Sequence, residues 1–234
     1  MLRSLFDQHS RDDDRQLAAV FTLIDQFGRV LRERFPCGGG VDGKWIRLDI
    51  WATGLGAALN ELEQSVFCSK EYRAGITAAF EEEMDQAQED QYYRYVYFYK
   101  NAFIRVFSIL DKTGHFVDLL FDANTAQVKS KFSYFTVLRQ LYTTKNEPEL
   151  EQALYKLKVQ YKDPLNRLRK KRNLEIHAMN AELIDDVWRQ RACFADSRAV
   201  EPLDEQLEDL QAGYTMVCQS LQRIFVYAIQ SIRR

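Results

Sequence analysis

Apolar and polar positions along the chain repeat almost everywhere at the three-to-four spacing of an amphipathic helix. Leu17, Val20, Phe21, Ile24, Phe27 and Leu31 define a first helix running to about Phe35, and PCGGGVDG (Pro36 to Gly43) ends it in a glycine-rich loop. A second helix is predicted from roughly Trp51 to Phe67, with Ser69 as the N-cap of a third. Tyr92, Tyr95, Val96, Tyr99, Phe103, Val106 and Leu110 mark a long aromatic-rich helix, whose stripe reads as packed core rather than a platform for bases. The acidic run Glu81 to Asp90 before it reads as a solvated face.

After a break near Asn124 the pattern predicts a helix over Phe132 to Tyr142. Asn146 then reads as an N-cap followed by Pro148, and Asp163 with Pro164 repeats that signature ahead of a helix reaching about Arg191. CFADSRAVEP is looser. From Leu203 a seam of Leu207, Leu210, Tyr214, Val217, Leu221, Ile224 and Ala228 implies packing against partner helices, within a bundle or across a dimer. The fold class is therefore all-α.

Composition changes the picture little. A chain of 234 residues with 46% hydrophobic and 28% charged residues can bury a sizeable core, and a formal charge of −2 confines any nucleic-acid contact to a local patch. Cys37, Cys68, Cys193 and Cys218 form no metal or redox motif and read as free thiols of a reducing cytoplasm. The charged opening MLRSLFDQHSRDDDR argues against a secretory signal, and no long uncharged apolar run predicts a membrane span. Cytoplasmic localisation is the expectation. No histidine has a glutamate three residues before it, which sets aside a carboxylate-bridged metal bundle, and GGGVDGK lacks phosphate-loop spacing. Neither metal nor cofactor is expected.

Candidate chemistry concentrates in KKRNLEIHAMN, Lys170 to Asn180. Arg172 interrupts an apolar stripe of Leu165, Leu168, Ile176, Met179 and Leu183, where a guanidinium needs an anion, a carboxylate or a wet cleft. Asn173 and His177 are four apart, on one face, and an amide there can fix the imidazole tautomer. Arg172 and His177 are five apart, about 140° around the helix. A histidine alone on a helix is more often structural than catalytic. Around it, however, eight basic residues, Lys156, Lys158, Lys162, Arg167, Arg169, Lys170, Lys171 and Arg172, stand against the single acid Asp163. Such a patch suits phosphate backbones; a solvated face paired with the Glu81 to Asp90 run is the plainer alternative.

Arg172-Asn173, three residues and His177 resemble the R-x(4–6)-H motif of HEPN domains, helical bundles of which many are metal-independent endoribonucleases acting as symmetric dimers. FIRVFSILDKTGHF (Phe103 to Phe116) also looks like the first core helix of one bacterial HEPN subfamily. The resemblance implies a four-helix up-and-down bundle over 89–234, built from about Glu89 to Phe121, Phe132 to Tyr161, Pro164 to Arg191 and Leu203 to Arg233. Residues 1–88 would then be an N-terminal helical elaboration.

It further implies a ribonuclease of the toxin or phage-defence type that leaves 2′,3′-cyclic phosphate ends. His177 would be general base or acid, Arg172 would neutralise phosphate charge, Asn173 would orient either, and Arg167, Arg169, Lys170 and Lys171 would bind the RNA backbone. The implied partners are RNA or a nucleotide, a second copy with the motifs at or near the interface, and a cognate antitoxin, with no membrane. The alternative is a catalytically inactive HEPN-like module that binds nucleotide, RNA or protein. Met179 stands where some toxin members carry a modified tyrosine two residues after the histidine, so that control does not carry over.

Overall fold

Ser69 does not begin a helix. Its hydroxyl donates to the Ser65 carbonyl at 2.8 Å, the back-bond of a serine inside a helix, and the stretch around it is continuous. The computed structural model describes residues 2–7, 15–35, 43–79, 81–128, 132–177 and 202–233. Their elements are a short 3-10 helix Leu2–Phe6, α1 Arg15–Arg34, α2 Gly43–Ala74, α3 Gln86–Leu120, α4 Thr125–Val128, α5 Tyr134–Thr144, α6 Pro148–Gln160, α7 Lys162–His177 and α8 Leu203–Arg233. No strand occurs among the described residues, and the all-α helical bundle expected from periodicity is what forms.

Boundaries moved for local reasons. The second and third helices of the sequence reading are one, α2. The acidic run holds a 3-10 turn at Glu81–Glu83, and the Asp85 carboxylate then accepts from the Gln88 backbone N–H at 2.8 Å, capping α3. The expected Phe132 to Tyr161 element is two helices, because Lys145 and Glu147 both adopt left-handed backbone between them, at φ 53° and 49°. Glu147, not Asn146, occupies the N-cap of α6, with Pro148 next; the Asn146 amide donates instead to the Phe121 carbonyl at 2.9 Å. Lys162 opens α7, which places Asp163 inside its first turn. The extension to Arg191 lies outside the described residues.

The helices divide into two compact units. One comprises residues 10–61, 105–161 and 215–234, the other residues 1–9, 62–104 and 162–214. Both therefore draw on chain from either side of residue 88.

In the first unit the rings of Phe27, Phe116 and Phe225 meet at 5.2–5.5 Å, all three fully buried, and join α1, α3 and α8. The start of α5 is fixed by a capping box in which Ser133 and Thr136 exchange bonds. Gly114 of α3 lets α5 approach backbone to backbone: a Cβ there would lie 3.0 Å from Tyr134 Cα. Tyr134 is buried and donates its hydroxyl to Ser220 at 3.3 Å; burial raises its pKa well above the usual tyrosine value. His115 is exposed and stacks on Phe132 at 3.8 Å.

In the second unit Tyr95 stacks on Tyr99, which meets Phe103 edge to face along α3, and the Tyr95 hydroxyl donates to Gln206 of α8 at 3.1 Å. The aromatic stripe is core, as its spacing predicts. Arg3 pairs with Glu63 and lies over the Phe67 ring at 4.0 Å. Cys68, on α2, is a buried thiol whose pKa burial pushes up to about 11, with the Glu63 charge adding to it. No helix among the described residues is long and apolar enough to cross a membrane.

Candidate functional site

The site is built on α7, entirely within the second unit. Leu165 and Leu168 are its buried apolar contacts, and the stripe expected to continue through Ile176 does not: Ile176 is 49% exposed. Position 175 lies within about 20° of Leu168 and position 176 within about 20° of Leu165, so helical angle alone does not separate them. Glu175 turns inward, and its carboxylate meets the Lys100 ammonium of α3 at 3.1 Å, with both side chains largely covered. Met179 and Leu183 lie outside the described residues.

One flank of the helix repeats the same device at four-residue intervals. Arg167 forks onto Asp209 of α8 with two bonds, Nε to Oδ2 at 2.7 Å and Nη2 to Oδ1 at 2.6 Å; that carboxylate raises the guanidinium pKa further. Lys171, one turn on, places Nζ 5.5 Å from the centre of the buried Tyr99 ring, a cation–π contact. Glu175 with Lys100 follows one turn later. Arg167, Lys171 and Glu175 therefore fasten α7 to α8 and α3.

The opposite side faces water. Lys170, Asn173 and His177 are exposed, as is Asn166 one turn before Lys170. His177, the last described residue of α7, has no hydrogen-bond partner among the described residues. The Asn173 amide was expected to orient that imidazole; its oxygen accepts instead from Arg172 Nη1 at 3.0 Å. This bond answers the angular problem posed by the motif. Arg172 leaves the helix on the inner side, half-buried, and its guanidinium is drawn toward the exposed Asn173, which shares a face with His177. The structure thus joins Arg172 to Asn173 directly and sets His177 one turn further along the face that carries Asn173. Arg169 is half-buried.

Among the expected phosphate contacts, Lys170 is solvent-facing, while Arg167 and Lys171 have protein partners. Lys156 and Lys158 belong to α6 in the other unit, where Lys158 lies over the Phe135 and Tyr155 rings at 5.9 and 5.5 Å. The Lys100–Glu175 pair inside the motif is not apparent from spacing. The legible signal was the lone acid between Arg172 and His177, seven residues after the buried Leu168.

An exposed imidazole can exchange protons with a bound ligand, a guanidinium and an amide beside it can hold an anionic oxygen, and a neighbouring ammonium can pair with a phosphate. Nothing among the described residues groups histidine, cysteine and carboxylates as a metal cage would require. Comparison with curated proteins and with solved structures gave no match. Comparison with known families matched residues 51–228, from within α2 to within α8, to the Cthe2314-like HEPN family. That span covers well over half of the chain, and the chain belongs to the Cthe2314-like HEPN family.

Proposed function

We propose that this protein is a metal-independent endoribonuclease of the toxin or phage-defence type, working as a homodimer that brings two copies of the outer face of α7 to one RNA strand. The observation that carries the reading is the exposed Asn173 and His177 with Arg172 bonded to the Asn173 amide, on a helix whose other flank is fastened to the core. A catalytic imidazole must be open to substrate, and the exposure of His177 supports that reading.

His177 takes the proton from a ribose 2′-hydroxyl as its oxygen attacks the adjacent phosphorus. The P–O bond to the next nucleotide's 5′-oxygen breaks, and the partner subunit's His177 donates a proton to that oxygen. The products are a 2′,3′-cyclic phosphate and a 5′-hydroxyl. Arg172 neutralises charge on the pentacoordinate phosphorus, Asn173 fixes the guanidinium that does so, and Lys170 with Arg169 holds the neighbouring backbone. A cognate antitoxin would act by covering this face.

A non-catalytic HEPN-like module that binds RNA, nucleotide or protein is the second reading. The engagement of Arg167 with Asp209 and of Lys171 with Tyr99 favours it, since two cations are withdrawn from a phosphate path. End-labelled RNA incubated in excess chelator separates the two. The ribonuclease reading expects cleavage with cyclic phosphate ends, lost in a His177→Ala variant of unchanged fold, and sedimentation as a dimer. Full cleavage by that variant sinks the assignment of the site, and no cleavage by either protein favours the binding module.

A further inference from the structure

The consecutive helices α5 and α6, in the unit that does not carry the motif, form a cleft with an unusual lining. Its floor is aliphatic and fully covered, with Leu138 and Leu141 at 3% and 0% exposure. Its rim is aromatic and cationic. Tyr142 and Tyr155 are 71% and 50% exposed, Phe135 is half-buried, and Arg139, Lys145 and Lys158 border them. Lys158 lies within cation–π range of both Phe135 and Tyr155, so one ammonium ties the walls together.

We infer that this cleft binds single-stranded nucleic acid, with bases stacked on Tyr142 and Tyr155 and phosphates paired with Arg139 and Lys145. Large rings left in water lose little by accepting a base, and every base offers a π-face, so stacking is tolerant of sequence. The charge distribution selects this occupant over an apolar helix. A groove for such a helix presents exposed aliphatic side chains, whereas here the leucines are already covered and the open positions are tyrosine, arginine and lysine beside Thr143, Pro148, Glu149 and Gln152. Glu149 and Glu151 also line the cleft, but both sit in the first turn of α6, where the positive end of the helix accommodates them. Arg139 and Lys145 lie on the α5 side.

The site extends the function proposed above without depending on it, because binding here requires neither Arg172 nor His177. The probe is a fluorescent oligodeoxythymidine about 12 nucleotides long, within the usual size range of such grooves. Lacking a 2′-hydroxyl, it cannot be cut by the chemistry proposed for α7, so failure of cleavage and failure of this site are read separately. In the full chain, Tyr142→Ala with Tyr155→Ala is expected to weaken binding at least about tenfold. The double Phe replacement keeps the stacking surface and the affinity. Arg139→Ser with Lys145→Ser flattens the salt dependence by up to about two phosphate contacts. Both tyrosines are exposed, so melting temperature changes little beyond the loss of the Lys158 contact with Tyr155. Equal affinity of the alanine and unaltered proteins overturns the inference. It is also overturned if the oligonucleotide does not bind while the chain self-associates and the alanine variant does not, which makes the cleft a protein interface.

Discussion

The two sides of α7 both carry cations, yet those cations meet different surroundings. On one flank Arg167, itself exposed, and the half-buried Lys171 and Glu175 meet Asp209, Tyr99 and Lys100 at one-turn intervals. On the outer face Lys170, Asn173 and His177 meet water. A run of positive charge is therefore not one surface. Some members have partners on α8 and α3, and Lys170 faces solvent. These contacts add to the packing of a helix whose buried residues are Leu165 and Leu168 alone.

Substitutions on the two sides should separate in kind as well as in size. The largest effect is expected from His177→Ala: RNA cleavage falls by about 100-fold or more, the range for losing a general acid–base group, while the melting temperature does not move. A parallel loss of stability would mean that His177 is structural. Lys100→Met leaves the mostly covered Glu175 carboxylate without its ammonium, and unfolding by denaturant should show a loss of about 3 kcal/mol. Lys100→Met with Glu175→Leu restores much of it, since two apolar groups of similar volume remove the stranded charge.

Arg167→Met removes a bidentate pair and strands Asp209, whose side chain is only 12% exposed, so the melting temperature should fall while affinity for RNA stays the same. An equal loss of RNA affinity would return Arg167 to the binding surface. The smallest effect belongs to Lys170→Ser. Stability is unchanged, RNA affinity drops a few-fold, and the slope of log affinity against log salt falls by about one contact. Should Lys170→Ser behave like Arg167→Met, the division between the faces fails.

Cys68 supplies a further check on the same unit. Its folded pKa of about 11 lies above the ordinary thiol value of 9.0, so the neutral form favours the fold. The contribution is complete below pH 9 and is lost as pH rises through 9 toward 11, where the unfolded thiol ionises first. A Cys68→Ala variant should show a shallower loss of stability over that window.

Periodicity sufficed for the all-α class, for the seam of α8 and for the buried aromatic stripe of α3, because burial on a helix repeats with the helix itself. The motif too was legible, since Arg172, Asn173 and His177 stand at a recognisable spacing and an i, i+4 pair shares a face whatever surrounds it. Helix ends were less so. Ser69 is a good cap in isolation, yet it continues α2, and two left-handed residues split α5 from α6 without a glycine to announce them.

What the sequence by itself determined is which positions repeat together along each helix. Which charges are spent and which remain open was decided by the tertiary structure. Arg167 and Lys170 are both cations on one helix, and only the placement of Asp209 on α8 distinguishes them. Glu175, not Ile176, turns inward because Lys100 of α3 is there to receive it. Partners distant in sequence supply those differences, and a local pattern contains no term for them.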